Sequence, residues 1–365
     1  LVLAALAGWQ WHLSTVAGHE AERQRDRAER ALKAATATAD GLIFDLAQKF
    51  RNVSGVPKPV VRAILDQARR LQEQLIDAGE KNADLGADHG AALGESAETE
   101  LVLGDLAKAL DQATKSRDVY ADLTRSAPDV VKHVHGLASG DALIGRILAR
   151  YGRADAAEAA RARAEATLEA AIGRGVADPR LPQLLATIRE DRGVAARERD
   201  DRAAALAFFR SGLDLTAALL RDRPDDMALR HNLAVAHRNL GDVELDAGDL
   251  AAADADFTQA SDIAARLARE NPENTLLLRD FTLSRERLGE TLMKTRDFAG
   301  ALAAFVDGEA TALRLSASDP ADLDWRYDVA IGHREIGDAR QALGDLPGAA
   351  EAFRAAIAVD LDLVA

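Results

Sequence analysis

The chain has 365 residues, of which 48% are hydrophobic but only 4% aromatic, and it carries a formal charge of -14 without a single cysteine. Disulfides, thiolate metal centres and a cysteine nucleophile are therefore excluded, and with no long basic run to make a positive face, nucleic acid is not expected as a partner. The length allows roughly two domains, and the alanine-heavy apolar share points to an all-α fold of closely approaching helices.

The first eighteen residues, LVLAALAGWQWHLSTVAG, contain no Asp, Glu, Lys or Arg. A membrane span needs about 20 mainly apolar residues. Residues 1–18 are predicted to be the end of a transmembrane helix, with Trp9 and Trp11 at the lipid headgroups; a buried amphipathic helix start is the other reading. Arg23, Arg25, Arg27, Arg30 and Lys33 follow, and basic residues beside a span favour the cytoplasmic side. Residues 19–80 read as a membrane-proximal helical region. A charged helix runs from Glu20 to about Phe50 and breaks in RNVSGVPKPV, where Gly55, Pro57 and Pro59 cannot continue it. A second helix then runs to about Ala78, with Val60, Ile64, Leu71 and Leu75 largely on one face. Asn82 to Gly90 reads as a loop or helix start.

From residue 81 to 365 a fixed period organises the chain into about six units. Gly145, Gly193, Gly241, Gly289 and Gly337 are 48 residues apart, and Ala109, Ala157, Ala205, Ala253, Ala301 and Ala349 keep the same interval. So do Phe209, Phe257, Phe305 and Phe353. Asp201, Asp249, Asp297 and Asp345 form another register, shared by Asp105 and broken only at Arg153. Pro224, Pro272 and Pro320 form one more, joined by Pro128. Each unit reads as two helices, because Leu229, Leu233, Ala236 and Leu240 fall on one stripe and Leu250, Ala253, Phe257, Ala260, Ala264 and Leu267 on another. Gly104, Gly248 and Gly344 suit the left-handed end of a first helix. The aspartate after each suits the cap of the next helix, worth about 1 kcal/mol. The mid-helix glycines cost roughly 1 kcal/mol each, and close helix approach is the return. The alanine twelve residues later is expected to face the glycine, with the phenylalanine beside the pair.

Leu240-Gly241, Ala253, Phe257 and Ala260 resemble the tetratricopeptide repeat, as do Leu288-Gly289, Ala301, Phe305 and Gly308, and Ile336-Gly337, Ala349, Phe353 and Ala356. The resemblance covers about Asn82 to the C-terminus. It implies a right-handed α-solenoid of helical hairpins, here preceded by a long N-terminal helix. The family's period is about 34 residues, so the helices, mainly the second, are expected to be longer. His237, Arg285 and His333 stand where the family often has tryptophan. In the family, the groove is lined from the first helix around the Leu-Gly pair. Carried over, that nominates Arg238, Asp242, Asp246, Glu286, Glu290, Lys294, Arg334, Asp338 and Gln341, while Arg238 and Asn239 resemble part of a carboxylate clamp. The whole chain also resembles the membrane-proximal and repeat region of bacterial proteins that carry a TIR or caspase-like domain before a single span.

No phosphate-binding, hydrolase or HExxH metal motif occurs. His133 and His135 are two apart, so a helix points them in different directions, and DPADLDWRYD at Asp319 lacks the glycine and terminal glutamate of a calcium loop. No catalytic residue, cofactor or metal site is expected. The expectation is a non-enzymatic scaffold that binds a protein or peptide in its groove and is tethered to a membrane by its N-terminal helix. The alternative is a homo-oligomeric platform, because Ile357, Val359, Leu361 and Leu363 leave the last unit without a polar outer face.

Overall fold

A computed structural model describes residues 70, 83–320 and 322–364. The expected end of a membrane span at 1–18 and, apart from Arg70, the helices of 19–80 lie outside the described residues. Among the described residues the chain forms six helical hairpins. The first is α1 (Ala83–Leu103) with α2 (Leu106–Ser126), and the second α3 (Val131–Arg150) with α4 (Ala154–Gly173). Then come α5 (Arg180–Glu198) with α6 (Arg202–Asp222), and α7 (Met227–Ala247) with α8 (Leu250–Glu270). The last two are α9 (Thr275–Thr295) with α10 (Phe298–Ser318), and α11 (Leu323–Leu343) with α12 (Leu346–Leu363).

The chain divides into two compact units, one up to Val176 and one from Ala177. In the first unit α1, α2, α3 and α4 pack in sequence, and α1 also touches α3. In the second, every helix from α5 to α12 packs on the next, while α5 touches α7 and α7 touches α9. Within each unit, first helices therefore make one layer and second helices the other, as in an α-solenoid of tetratricopeptide type.

Local chemistry explains each boundary. The residue closing each first helix has positive φ at one register: Gly104 (83°), Gly152 (71°), Gly248 (79°) and Gly344 (86°), but also Asp200 (59°) and Arg296 (66°). The next residue caps the second helix. Asp105, Asp201, Asp249, Asp297 and Asp345 each accept from the backbone amide three residues on, at 2.9–3.2 Å. Arg153, in the same place, makes no such bond. Proline follows two residues after α2, α6, α8 and α10, where it cannot prolong them. A second cap series, Asp226, Asn274 and Asp322, then starts α7, α9 and α11.

α1 begins at Ala83, within the stretch read as a loop or helix start. Two expectations need correction. The extra length of the repeat is not concentrated in the second helix: α7, α8, α9 and α10 each have 21 residues. The other concerns the mid-helix glycine. A methyl built on Gly241 would come within 2.8 Å of the Phe257 ring, and one on Gly193 within 2.5 Å of the Phe209 ring. The aromatic ring, not the alanine, is what lies nearest these glycines. Ala253 and Ala301 are fully buried elsewhere on the same helices.

Candidate functional site

In the second unit, the first helices carry charge in a repeating order. Glu190, Arg238, Glu286 and Arg334 stand one period apart on α5, α7, α9 and α11. Burial is the main reason the Glu190 carboxyl rises to about 8; Asp191 adds to it and Arg238 opposes it. Cross-helix ion pairs follow the same order. Arg197 on α5 donates to Asp242 on α7 at 2.8 Å and reaches Asp246 at 3.1 Å. Arg287 on α9 lies 3.5 Å from the same Asp242 and donates to Glu290 at 2.8 Å. Arg238 donates to Asp280 at 3.2 Å, and His231 Nε2 lies 2.5 Å from the other Asp280 oxygen. Burial opposes the charge of Asp280, but the His231 hydrogen bond and the Arg238 guanidinium outweigh it and hold its carboxyl below the usual range. Arg279 on α9 reaches Asp328 on α11 at 3.3 Å.

The order breaks between α9 and α11. One period after Asp242 stands Glu290, and one period after Arg287 stands Glu335. A carboxylate replaces the guanidinium that the register calls for. Glu286, Glu290 and Glu335 consequently converge, each offering an oxygen within 4.8 Å of the others'. They are half-buried, and Glu286 and Glu335 line a small pocket with Thr282, Asp328 and Ile331. Burial first, and then Glu286 and Glu290, push the Glu335 carboxyl up to about 9. Burial likewise raises Glu286 and Asp328. Like charges this close cannot all ionise at neutral pH.

The residues nominated from sequence divide into three groups. Arg238, Asp242 and Asp246 belong to the ion-pair ladder. Glu286 and Glu290 belong to the carboxylate set. Lys294, Arg334, Asp338 and Gln341 are exposed, and Asn239 is half-buried beside Arg238. Arg197, His231, Asp280, Arg287 and Glu335 were not nominated. For Arg197, Arg287 and Glu335 the signal was an offset, since Arg197–Asp242 and Asp242–Arg287 are both 45 residues apart, as are Glu290 and Glu335. On the last hairpin, Ile357 is 56% and Leu361 63% exposed, while Val359 and Leu363 are half-buried. Among the described residues one helix, α6, is long and apolar enough to cross a membrane, and it packs between α5 and α7.

No family model and no curated protein matches the chain by sequence. Its fold has counterparts among solved structures. BtubC (BKLC) from P. vanneervenii is 16% identical with a TM-score of 0.56, over 71% of this chain and 92% of its own. The S. pombe nuclear import adaptor Nro1 is 12% identical with a TM-score of 0.51, over 75% and 99%. A Podosopora anserina chain described as a kinesin light chain with nearly identical TPR-like repeats is 15% identical, over 64% and 96%, at a TM-score of 0.45. The chain is an all-α repeat protein of tetratricopeptide-like hairpins.

Proposed function

We propose that the chain is a non-enzymatic interaction scaffold whose first-helix face, in the second unit, takes a protein or peptide segment bearing a basic side chain. The observation that carries this reading is the broken step of the ladder. Glu286, Glu290 and Glu335 come within 4.8 Å of one another, while the adjacent Arg287 is drawn to Glu290 and Asp242 on its other side. A lysine or arginine of the partner would fill the position that Arg287 fills one period earlier, with charge-assisted hydrogen bonds to carboxylates. The exposed Arg334 and Asp338 beside it would set the register of the segment. The adaptor role stated for Nro1 is consistent with such a use of the fold. On the same reading, residues 1–18 tether the scaffold to a membrane, and the repeats are the sensor or assembly arm of a larger signalling or defence protein.

Fluorescence anisotropy with a labelled oligolysine peptide, and an oligoglutamate peptide as control, tests the binding step. Glu335→Gln together with Glu286→Gln should weaken oligolysine binding roughly tenfold, equivalent to about 1.4 kcal/mol, and the wild-type affinity should fall with salt. Equal affinity in wild type and double variant removes the carboxylate set from the binding face. A second reading, self-association, is favoured by exposed Ile357 and Leu361 on α12. Light scattering across micromolar concentrations, with Leu361→Lys as control, separates the two.

A further inference from the structure

Hairpin α7–α8 sets a buried and a half-buried carboxyl group where its neighbours are apolar. Glu244 on α7 is 6% exposed, and Asp256 on α8 lies against it within hydrogen-bonding reach. One period earlier these two positions hold Ala196 and Phe208, and one period later Leu292 and Ala304. Three periods earlier they hold Glu100 and Gln112. There the buried glutamate is matched, because Lys108 donates to Glu100 at 2.5 Å and Gln112 carries no charge. In α7–α8 the position of Lys108 is Ala252, and the position of Gln112 is Asp256 itself.

The surroundings supply one weak counter-charge. Arg210 on α6 donates to Glu244 Oε1 at 3.4 Å, near the limit of a hydrogen bond. His237, on α7, places Nδ1 2.6 Å from Asp256 Oδ1. Four further arginines on α5, α7 and α9 are engaged elsewhere. Arg197 on α5 and Arg287 on α9 meet Asp242, Arg238 meets Asp280, and Arg285 on α9 bonds Ser261 and Asp307. Glu244 Oε2 is sealed from water and receives no hydrogen bond. A buried acceptor without a donor is costly, and beside a second carboxylate the remedy is a proton. As O–H, the Glu244 carboxyl becomes a donor, and Asp256 is the acceptor beside it.

We infer that Glu244 and Asp256 share one proton, and that losing it loosens the α7–α8 hairpin, making this repeat a proton-operated device beneath the face that carries Arg238 and Asp242. The inference rests on the hairpin and is independent of what binds that face. The titration agrees with it. Burial first, then the hydrogen bond and charge of Asp256, push Glu244 up to about 7 against the pull of Arg210. An unfolded glutamate titrates near 4.3. Between those values the folded hairpin holds more protons than the unfolded chain, so this stability is full below the unfolded value and is lost as pH rises through about 7.

Hydrogen exchange of the intact chain, read by mass spectrometry from pH 5.5 to 8.5 and corrected for intrinsic exchange, tests it. Protection of peptides within 227–270 should fall about tenfold more than that of the α3–α4 hairpin, the effect of one unit of proton linkage. Glu244→Gln and Asp256→Asn should each abolish the difference. Ala252→Lys, which restores the lysine of the first hairpin, should move the fall to lower amplitude. A wild-type profile no steeper than that of α3–α4, or a fall that survives Glu244→Gln, overturns the inference. If Glu244→Gln does not fold, Asp256→Asn decides by the same criterion, since Gln112 shows that a neutral amide fits that position.

Discussion

The two units solve one packing problem with different residues. In the second unit, Phe209, Phe257, Phe305 and Phe353 each press a ring onto a glycine sixteen residues earlier. The first unit lacks that pair. In its first hairpin the same registers hold Ala97 and Ala113, both fully buried. In its second hairpin Gly145 remains, but Arg161 stands in the place of the ring and packs its stem on the glycine. The aromatic has moved. Tyr120 lies against Gly90 on α1 and Gly136 on α3, and its hydroxyl donates to the Ala87 carbonyl at 2.7 Å. One ring thus sits between two glycines of successive first helices. The comparison teaches that a large group meeting a missing side chain brings the helices together, and that the register of the meeting can shift.

The strongest way to break this comparison is to remove the rings. Phe305→Ala should cost about 3–5 kcal/mol through the cavity it leaves, and Tyr120→Ala a similar amount in the first unit. Urea unfolding followed by circular dichroism reads the total, and hydrogen exchange assigns the loss to α9–α12 or to α1–α3. If Tyr120→Ala melts like wild type while Phe305→Ala does not, the two units do not share a packing device.

Much of the fold was legible because its causes are local. A glycine closing one helix and an aspartate opening the next act within a few residues, so Gly248-Asp249 and Gly344-Asp345 announce themselves. The Gly–Phe contact was only half legible. The spacing marked Gly241, Ala253 and Phe257 as interior, but which of the two meets the glycine depends on the angle between α7 and α8. The site was least legible. Asp242 is held by Arg197 and Arg287 from two other helices, and no property of its own neighbourhood in sequence shows that. Glu335 matters because it occupies the place of an arginine, a fact visible only once α9 and α11 are set side by side.

A milder test overfills the seam instead of emptying it. Ala301 and Ala304 are buried on α10, and Ile336 and Ala339 of α11 join Ala301 and Phe305 in one cluster. Ala301→Leu adds three carbons to that cluster and should cost about 1–3 kcal/mol by forcing side chains off their rotamers. The same change at exposed Ala251, on the outer side of α8, should shift the midpoint little. Equal effects at both positions would mean that the recurring alanine is a helix former and not a spacer.

The smallest expected effect concerns the helix ends, where the units agree in shape but not in residue. Six positions one period apart have left-handed backbone, and four of them are glycine. Asp200 and Arg296 adopt the same conformation with a side chain, at φ of 59° and 66°. A left-handed residue with a Cβ costs roughly 1–2 kcal/mol, although aspartate offsets part of this by local hydrogen bonding. Arginine has no such compensation, so Arg296→Gly should stabilise the chain by about 1 kcal/mol, less the extra entropy that glycine brings to the unfolded state. Asp200→Gly should gain less. Gly248→Ala, the converse, should lose about the amount that Arg296→Gly gains. Thermal melts of the three variants order them, and a loss on Arg296→Gly would mean that the arginine side chain holds the α9–α10 turn through contacts worth more than the strain in its backbone.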